Sequence, residues 1–230
     1  MLLLFDIDGT LVSRASAAHA EALHRALTEV HGVRTEALAT VVSPAGRTDG
    51  EIARLLLVQA RISAERIDDG ATAVREACTR LYVELCPPSL ADKVVPGIPA
   101  LLEWLNGRDD VRLSLVTGNF EPVARLKLAR AGVGGYFPGG QGGFGSDSED
   151  RSVLPAIARR RAGEVGVPYP RETTVVIGDT PRDIACARAD GVRCLAVTTG
   201  PFAAAQLHDA DGVADHPEAL RDLLTAALDE

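Results

Sequence analysis

At 230 residues the chain is long for one bare sheet and short for two ordinary domains, which predicts one domain carrying an inserted module. Its 46% hydrophobic and 24% charged residues exclude a disordered or fibrous chain, and its net charge of −8 opposes nucleic-acid binding. Lysine is scarce: of 24 Lys and Arg residues only Lys93 and Lys127 are lysines, so a mechanism that needs a lysine has two candidates.

Leu2–Ile7 reads as a strand buried on both faces of a parallel sheet. Asp6 interrupts this apolar stretch far short of a signal peptide, and no later run reaches the roughly 18 apolar residues of a membrane span. A cytoplasmic protein is therefore expected. From Ala15 to Ala91 the periodicity is helical. A first helix carries Leu23, Leu27 and Val30 on one face and stops at Gly32. A second starts with Asp49 as N-cap, and a third carries Val74, Cys78, Leu81 and Leu85 before Pro87-Pro88 breaks it.

Strand and helix alternate thereafter. Helix 98–106 leads to strand 111–116 and helix 120–131. A glycine-rich loop or short strand, 132–145, precedes helix 151–162. Strand 174–177, helix 182–189, strand 193–197, a short element at 212–214 and helix 218–228 complete the chain. This order predicts an α/β fold: a Rossmann-like parallel sheet with helices on both faces and right-handed crossovers. Residues 1–14 and 92–230 form the core, and 15–91 an inserted all-helical domain. Cys78, Cys86, Cys186 and Cys194 lack metal-ligand spacing and are expected as buried free thiols. Arg159-Arg160-Arg161 is expected on a solvated face at a helix C-terminus. Trp104 and Phe137 are expected in the core, and His24, His31, His208 and His216 form no ligand pattern.

Ligands of such a sheet gather where the strands end. The first strand ends in Asp6-Ile7-Asp8-Gly9-Thr10, where two carboxylates two residues apart face the same side of an extended backbone. Thr117-Gly118-Asn119 follows the next strand and opens a helix, an anion cradle of hydroxyl, backbone amide and side-chain amide. Gly178-Asp179-Thr180-Pro181-Arg182-Asp183 brings two further carboxylates. A single Asp at a strand end is ordinarily a cap or turn residue. Four at one rim need a cation, and Mg²⁺ suits carboxylates together with a substrate phosphate.

Asp6-Ile7-Asp8-Gly9-Thr10, Thr117 and Gly178-Asp179-Thr180-x-x-Asp183 resemble three of the four signature motifs of the haloacid dehalogenase-like hydrolase superfamily. The helical insert is similar to that family's small cap. The resemblance covers essentially the whole chain and is strongest to the phosphatase branch, with its phosphoglycolate phosphatases and β-phosphoglucomutase-type proteins. It implies a phosphatase acting on a small phosphorylated metabolite. Asp6 would be the nucleophile that forms an aspartyl-phosphate. Asp8 would protonate the leaving group and then activate water. Thr117 and the Gly118 amide, with Asn119 beside them, would hold the phosphoryl oxygens. Asp6, Asp179 and the Asp8 backbone carbonyl would ligate Mg²⁺, and Asp183 would orient a partner.

The remaining motif departs from the family pattern. Many relatives carry Lys-Pro where this chain has Gly145-Ser146-Asp147-Ser148-Glu149-Asp150-Arg151. Arg151 stands near the expected place. Lys127 lies ten residues past Thr117 on a helix whose N-terminus faces the site, and side chains lean that way. Lys127 is the preferred motif cation, with Arg151 as the alternative.

Asp8 argues against dehalogenation, since the family's dehalogenases lack that second Asp. A lysine-free insert removes the Schiff-base chemistry of phosphonate cleavage. A phosphomutase of β-phosphoglucomutase type and a non-catalytic phosphate-binding module remain open beside hydrolysis. Arg47, at the start of the second insert helix, could meet a substrate anion bidentately. Arg14 and His19 are weaker candidates. The expected partners are a small phosphorylated substrate, no nucleic acid and no membrane, with the protein a monomer or homodimer.

Overall fold

The computed structural model describes residues 1–34 and 42–228. Among these, six strands form one parallel sheet: β1 (Leu2–Phe5), β2 (Arg112–Thr117), β3 (Gly143–Phe144), β4 (Thr174–Gly178), β5 (Arg193–Val197) and β6 (Gly212–Ala214). Their order is β3-β2-β1-β4-β5-β6, so β1 lies between β2 and β4, with Phe5 in register with Leu115 and Ile177. The sequence thus runs to one edge from β1 and returns to run to the other. The chain reverses direction beside β1, and there the sheet opens a crevice at its carboxyl edge.

Alternating side chains of the strands face two helical layers. Leu3, Phe5, Val175, Ile177, Leu195 and Val197 belong to a core shared with α4 (Ile98–Asn106), α5 (Glu121–Ala131) and α8 (Pro217–Leu228). Leu2, Leu4, Val176, Cys194 and Ala196 face the other way, onto α6 (Leu154–Ala162) and α7 (Pro181–Asp190). Between β1 and α4 the described residues form three α-helices, α1 (Ala17–His31), α2 (Asp49–Gln59) and α3 (Ala64–Leu85). Leu23 and Leu27 of α1 and Val74, Cys78 and Leu81 of α3 are buried. They join the first of the two apolar clusters. Arg130 of α5 donates to the Val83 and Pro87 carbonyls and also to that of Cys86, which ties the C-terminus of α3 to the sheet-bearing part of the chain.

Several elements differ from expectation for local reasons. Strand β1 ends at Phe5, because the Ile7 carbonyl turns back to accept from the amides of Thr10, Leu11 and Val12. Thr48, not Asp49, caps α2 by accepting from the Glu51 amide. The helix read over 151–162 opens as a 3-10 turn, Arg151–Val153, before α6, which has a proline in its first turn. All four cysteines are free and buried. Phe137 is buried, whereas Trp104 is only partly buried, with Arg108 and Arg221 over its ring. Arg159 corrects the reading of the basic run. It is buried, with Nε and Nη2 paired to Asp190 at 2.6 and 2.9 Å, because the inner face of α6 packs on the C-terminal end of α7. Among the described residues no helix is long and apolar enough to cross a membrane.

Candidate active site

The crevice at the carboxyl edge is roofed by the helical insert and encloses about 920 Å³. Asp6, Asp8, Thr117, Asn119, Arg151 and Asp179 all line it. Asp6 follows β1 directly and its amide donates to the Ile177 carbonyl at 2.8 Å, so the neighbouring strand fixes where its carboxylate starts. Asp179 follows β4 and accepts from the Thr10 hydroxyl at 3.3 Å. Thr180 and Asp183 form a reciprocal capping box at the start of α7, with Asp183 Oδ2 accepting from the Thr180 amide at 2.9 Å and hydroxyl at 2.7 Å. The capping box therefore turns the fully buried Asp183 side chain toward Arg151, Asp6 and Asp179.

The two halves of the first motif separate. Asp6 meets Arg151, whose Nη2 lies 3.2 Å from Asp6 Oδ1 and also bonds Asp183. Asp8 meets Lys127, whose Nζ donates to Asp8 Oδ1 and Oδ2 at 2.8 and 2.6 Å and to Asn119 Oδ1 at 2.7 Å. Asn119 Nδ2 closes the ring by donating to Asp8 Oδ2 at 2.9 Å. Both cations weighed from the sequence thus reach the first motif, each on a different carboxylate. Arg151 is the one beside Asp6, and its buried Nε–H has no partner.

The electrostatics follow from this division. Burial drives Asp6 up to about 6 against the opposing pull of Arg151, with Asp183 and Asp8 adding to the rise. Burial, reinforced by Asp6 and Asp183, raises Asp179 to about 8. Asp8 goes the other way. Burial would raise it, but Lys127, His19 and Asn119 together hold it below the usual carboxylate range. Carboxylate oxygens of Asp6, Asp179 and Asp183 lie within 4.8 Å of one another, an all-oxygen, buried, charge-rich set. One guanidinium serves that set, and two of its members have sharply raised pKa values. This donor chemistry fits a hard divalent cation. Asp183 has Oδ1 on Arg151 and Oδ2 on Thr180, which leaves Asp6 and Asp179 as the carboxylates freer to bind one.

The expected anion cradle is only partly realised. The first amides at the α5 end are already taken: Phe120 N–H donates to Asp49 at 2.7 Å and Glu121 N–H to Ser146 Oγ at 2.7 Å. Thr117 is fully buried and its Oγ1 accepts from the Asn119 amide at 3.4 Å. The Gly118 carbonyl accepts from the Asp49 amide at 2.8 Å, and the insert passes so close that a Cβ on Gly118 would come within 2.7 Å of the Arg47 carbonyl carbon. Arg47 lines the crevice, with its guanidinium paired to Glu51 and bonded to the Ser43 carbonyl. His19 is buried against Asp49 at 3.0 Å, and Arg14 lines the rim with a left-handed backbone, φ 54°.

Thr10, Asp49, Ser146, Thr199 and Gly200 were missed from sequence. Thr199 and Gly200 follow β5, another strand end of the same edge, so the rule that located Asp179 could have found them. Thr199 donates to the Gly9 carbonyl. A Cβ on Gly9 or on Gly200 would come to 2.5 Å from Asp179 Cγ, so both glycines give the carboxylate its space.

A family model for haloacid dehalogenase-like hydrolases matches residues 3–188, and a second, HAD-hydrolase-like, matches 154–226. The chain is 32% identical over 204 residues to a phosphoglycolate phosphatase of Rhodospirillum rubrum, covering 86% of this chain and 79% of that protein. It is 30% identical over 227 residues to a phosphoglycolate phosphatase of Cereibacter sphaeroides, covering 98% of each. A haloacid dehalogenase-like family hydrolase from Streptococcus pneumoniae shares the fold at TM-score 0.61, with 20% identity and 97% of each chain covered. The chain belongs to the haloacid dehalogenase-like hydrolase family. Its similarity over nearly its full length to two phosphatases places this enzyme in the family's phosphatase branch.

Proposed function

We propose that the protein is a Mg²⁺-dependent phosphomonoester hydrolase that acts on a small phosphorylated metabolite through an aspartyl-phosphate on Asp6, with residues 15–91 serving as the cap over a core of 1–14 and 92–230. The observation that carries the reading is the pairing of buried Asp6 with Arg151, beside Asp179 and at the carboxyl edge of β1. An Asp6 oxygen forms the bond to phosphorus as the bond to the bridging oxygen breaks. Asp8, ionised beside Lys127 in the free enzyme, takes up a proton as the anionic phosphoryl group enters beside it. It gives that proton to the departing alkoxide, then takes one from the water that attacks phosphorus and releases Asp6, and loses it again as phosphate departs. Alcohol and inorganic phosphate leave, and both carboxyls return to their starting state. Arg151, whose guanidinium lies beside Asp6, balances charge on the phosphoryl oxygens, and Thr117 and the Gly118 amide hold them. Mg²⁺ held by Asp6, Asp179 and the Asp8 backbone carbonyl would neutralise the crowded carboxylates and the phosphoryl group.

The crevice exceeds what a phosphate alone needs and leaves Arg47 and Arg14 near the leaving group. The phosphoglycolate phosphatases among the relatives favour hydrolysis over phosphomutation and make phosphoglycolate the first compound to try. The four buried free thiols support a cytoplasmic setting, and a monomer or homodimer is expected, to be read by light scattering. The deciding experiment is phosphate release from a broad phosphomonoester panel, with Mg²⁺ and with EDTA, for the wild type and Asp6→Asn. Release that needs both Mg²⁺ and Asp6 is expected. Conversion of a sugar 1-phosphate to its 6-phosphate without phosphate release would assign a phosphomutase. No turnover on any ester, with Asp6→Asn behaving as wild type, would assign a binding module.

A further inference from the structure

Lys127 is one of two lysines in the chain, and its side chain is wholly buried. It is the seventh residue of α5 and its stem runs back along the helix toward the crevice. An ammonium group has three protons to donate, and here all three are used: two on Asp8 and one on Asn119. Asn119 in turn spends its amide on the same carboxylate. Lys127 therefore has no donor left for a phosphoryl oxygen.

We propose that Lys127, braced by Asn119, is the positioning residue for Asp8: it orients the acid–base carboxylate toward the leaving-group side of the crevice and does not touch the transferring phosphoryl group. This inference rests on the reading of Asp8 as the proton donor. Two oxygens held at three points leave the carboxylate one defined orientation. A leaving oxygen must accept its proton within hydrogen-bond reach, so loss of that orientation costs rate in the protonated step and little elsewhere.

The test compares kcat/KM on an alkyl phosphomonoester, whose alkoxide needs a proton to depart, with that on p-nitrophenyl phosphate, whose phenolate does not. The kcat/KM ratio reports phosphoryl transfer to Asp6, the step in which the leaving group departs. Lys127→Met is expected to lose about 100-fold on the alkyl ester and less than about tenfold on the aryl ester, within the range of general acid catalysis. Its inhibition constant for inorganic phosphate is expected to stay within about threefold of wild type, as a group that does not bind phosphoryl oxygens requires. Asn119→Ala, which leaves the lysine in place, is expected to show the same bias at smaller size, and it carries the test if Lys127→Met does not fold. Asp8→Asn sets the scale with the largest bias. If Asp8→Asn shows the bias and both Lys127→Met and Asn119→Ala lose equally on the two esters, the inference fails alone. It also fails if phosphate inhibition weakens more than tenfold in Lys127→Met, which would put Lys127 on the phosphoryl group. If Asp8→Asn shows no bias, the reading of Asp8 falls and the inference with it.

Discussion

Replacing Arg151 by methionine removes the only guanidinium beside Asp6 among the described residues while keeping most of the side-chain volume. Its Nη2 lies 3.2 Å from Asp6 Oδ1, and only 7% of the side chain is exposed. Opposite unit charges at that distance interact by roughly 5 kcal/mol at an effective dielectric constant of about 20. Most of that attraction already exists before reaction, because Asp6 and Asp183 are charged neighbours. Only the part that grows as charge gathers on the phosphoryl oxygens lowers the barrier. Loss of one aligned donor of this kind typically costs about 10²–10³ in kcat. Arg151→Met is therefore expected to lose turnover on that scale. Arg151→Lys keeps the charge without the planar fork and is expected to fall by about tenfold. Steady-state kinetics on p-nitrophenyl phosphate with saturating Mg²⁺ measure both. Urea unfolding must accompany them, since removing one partner of a buried ion pair can cost about 3–5 kcal/mol of stability. A folded Arg151→Met enzyme with kcat within threefold of wild type refutes the assignment of Arg151 to the phosphoryl group.

Gly200→Ala pushes a methyl group into the Asp179 carboxylate and is expected to weaken Mg²⁺ activation by at least about tenfold, read from the Mg²⁺ concentration at half-maximal rate. Asp190→Asn leaves Arg159 buried with its charge unbalanced and is expected to lose about 3–5 kcal/mol of stability in urea. Glu149→Gln cuts the ion pair to Arg54 that ties α2 to the loop before Arg151. That pair is about one-third exposed, so the stability change is expected to stay below about 1 kcal/mol. Asp211, between the Cys194 amide and Arg188, titrates below its ordinary 3.8 because those bonds outweigh its burial. A lowered folded-state pKa adds stability above 3.8 that vanishes as pH falls through the folded value. The stability gap between wild type and Asp211→Asn is therefore expected at pH 7 and to close in acid.

Much of this enzyme is local enough to be legible in one sequence. An apolar strand that stops at Asp6-Ile7-Asp8, and others that stop at Thr117 and Gly178-Asp179, place functional groups at one edge as soon as the sheet is parallel. The capping box of Thr180 and Asp183 is likewise a three-residue matter. The exposed reading of Arg159 failed because periodicity gives a helix its faces without saying which neighbour covers them. Here Asp190, thirty-one residues on, does so. Strand β3, two residues long, falls in the glycine-rich stretch 132–145 read as a loop or short strand, but it is too short for a pattern to fix its bounds.

The amino-acid sequence by itself determined which residue types stand at the strand ends, because strand ends and helix starts are set by neighbours a few residues apart. Which cation serves which carboxylate was a matter for tertiary structure alone. Lys127 and Asp8 are separated by 119 residues of chain. Arg151 reaches Asp6 from the far side of the sheet order. Spacing along the chain carries no information about such distances, whereas a charge pair acts only over a few ångströms. The two lysine substitutes that the sequence could only rank as rivals therefore became, once folded, partners of two different aspartates.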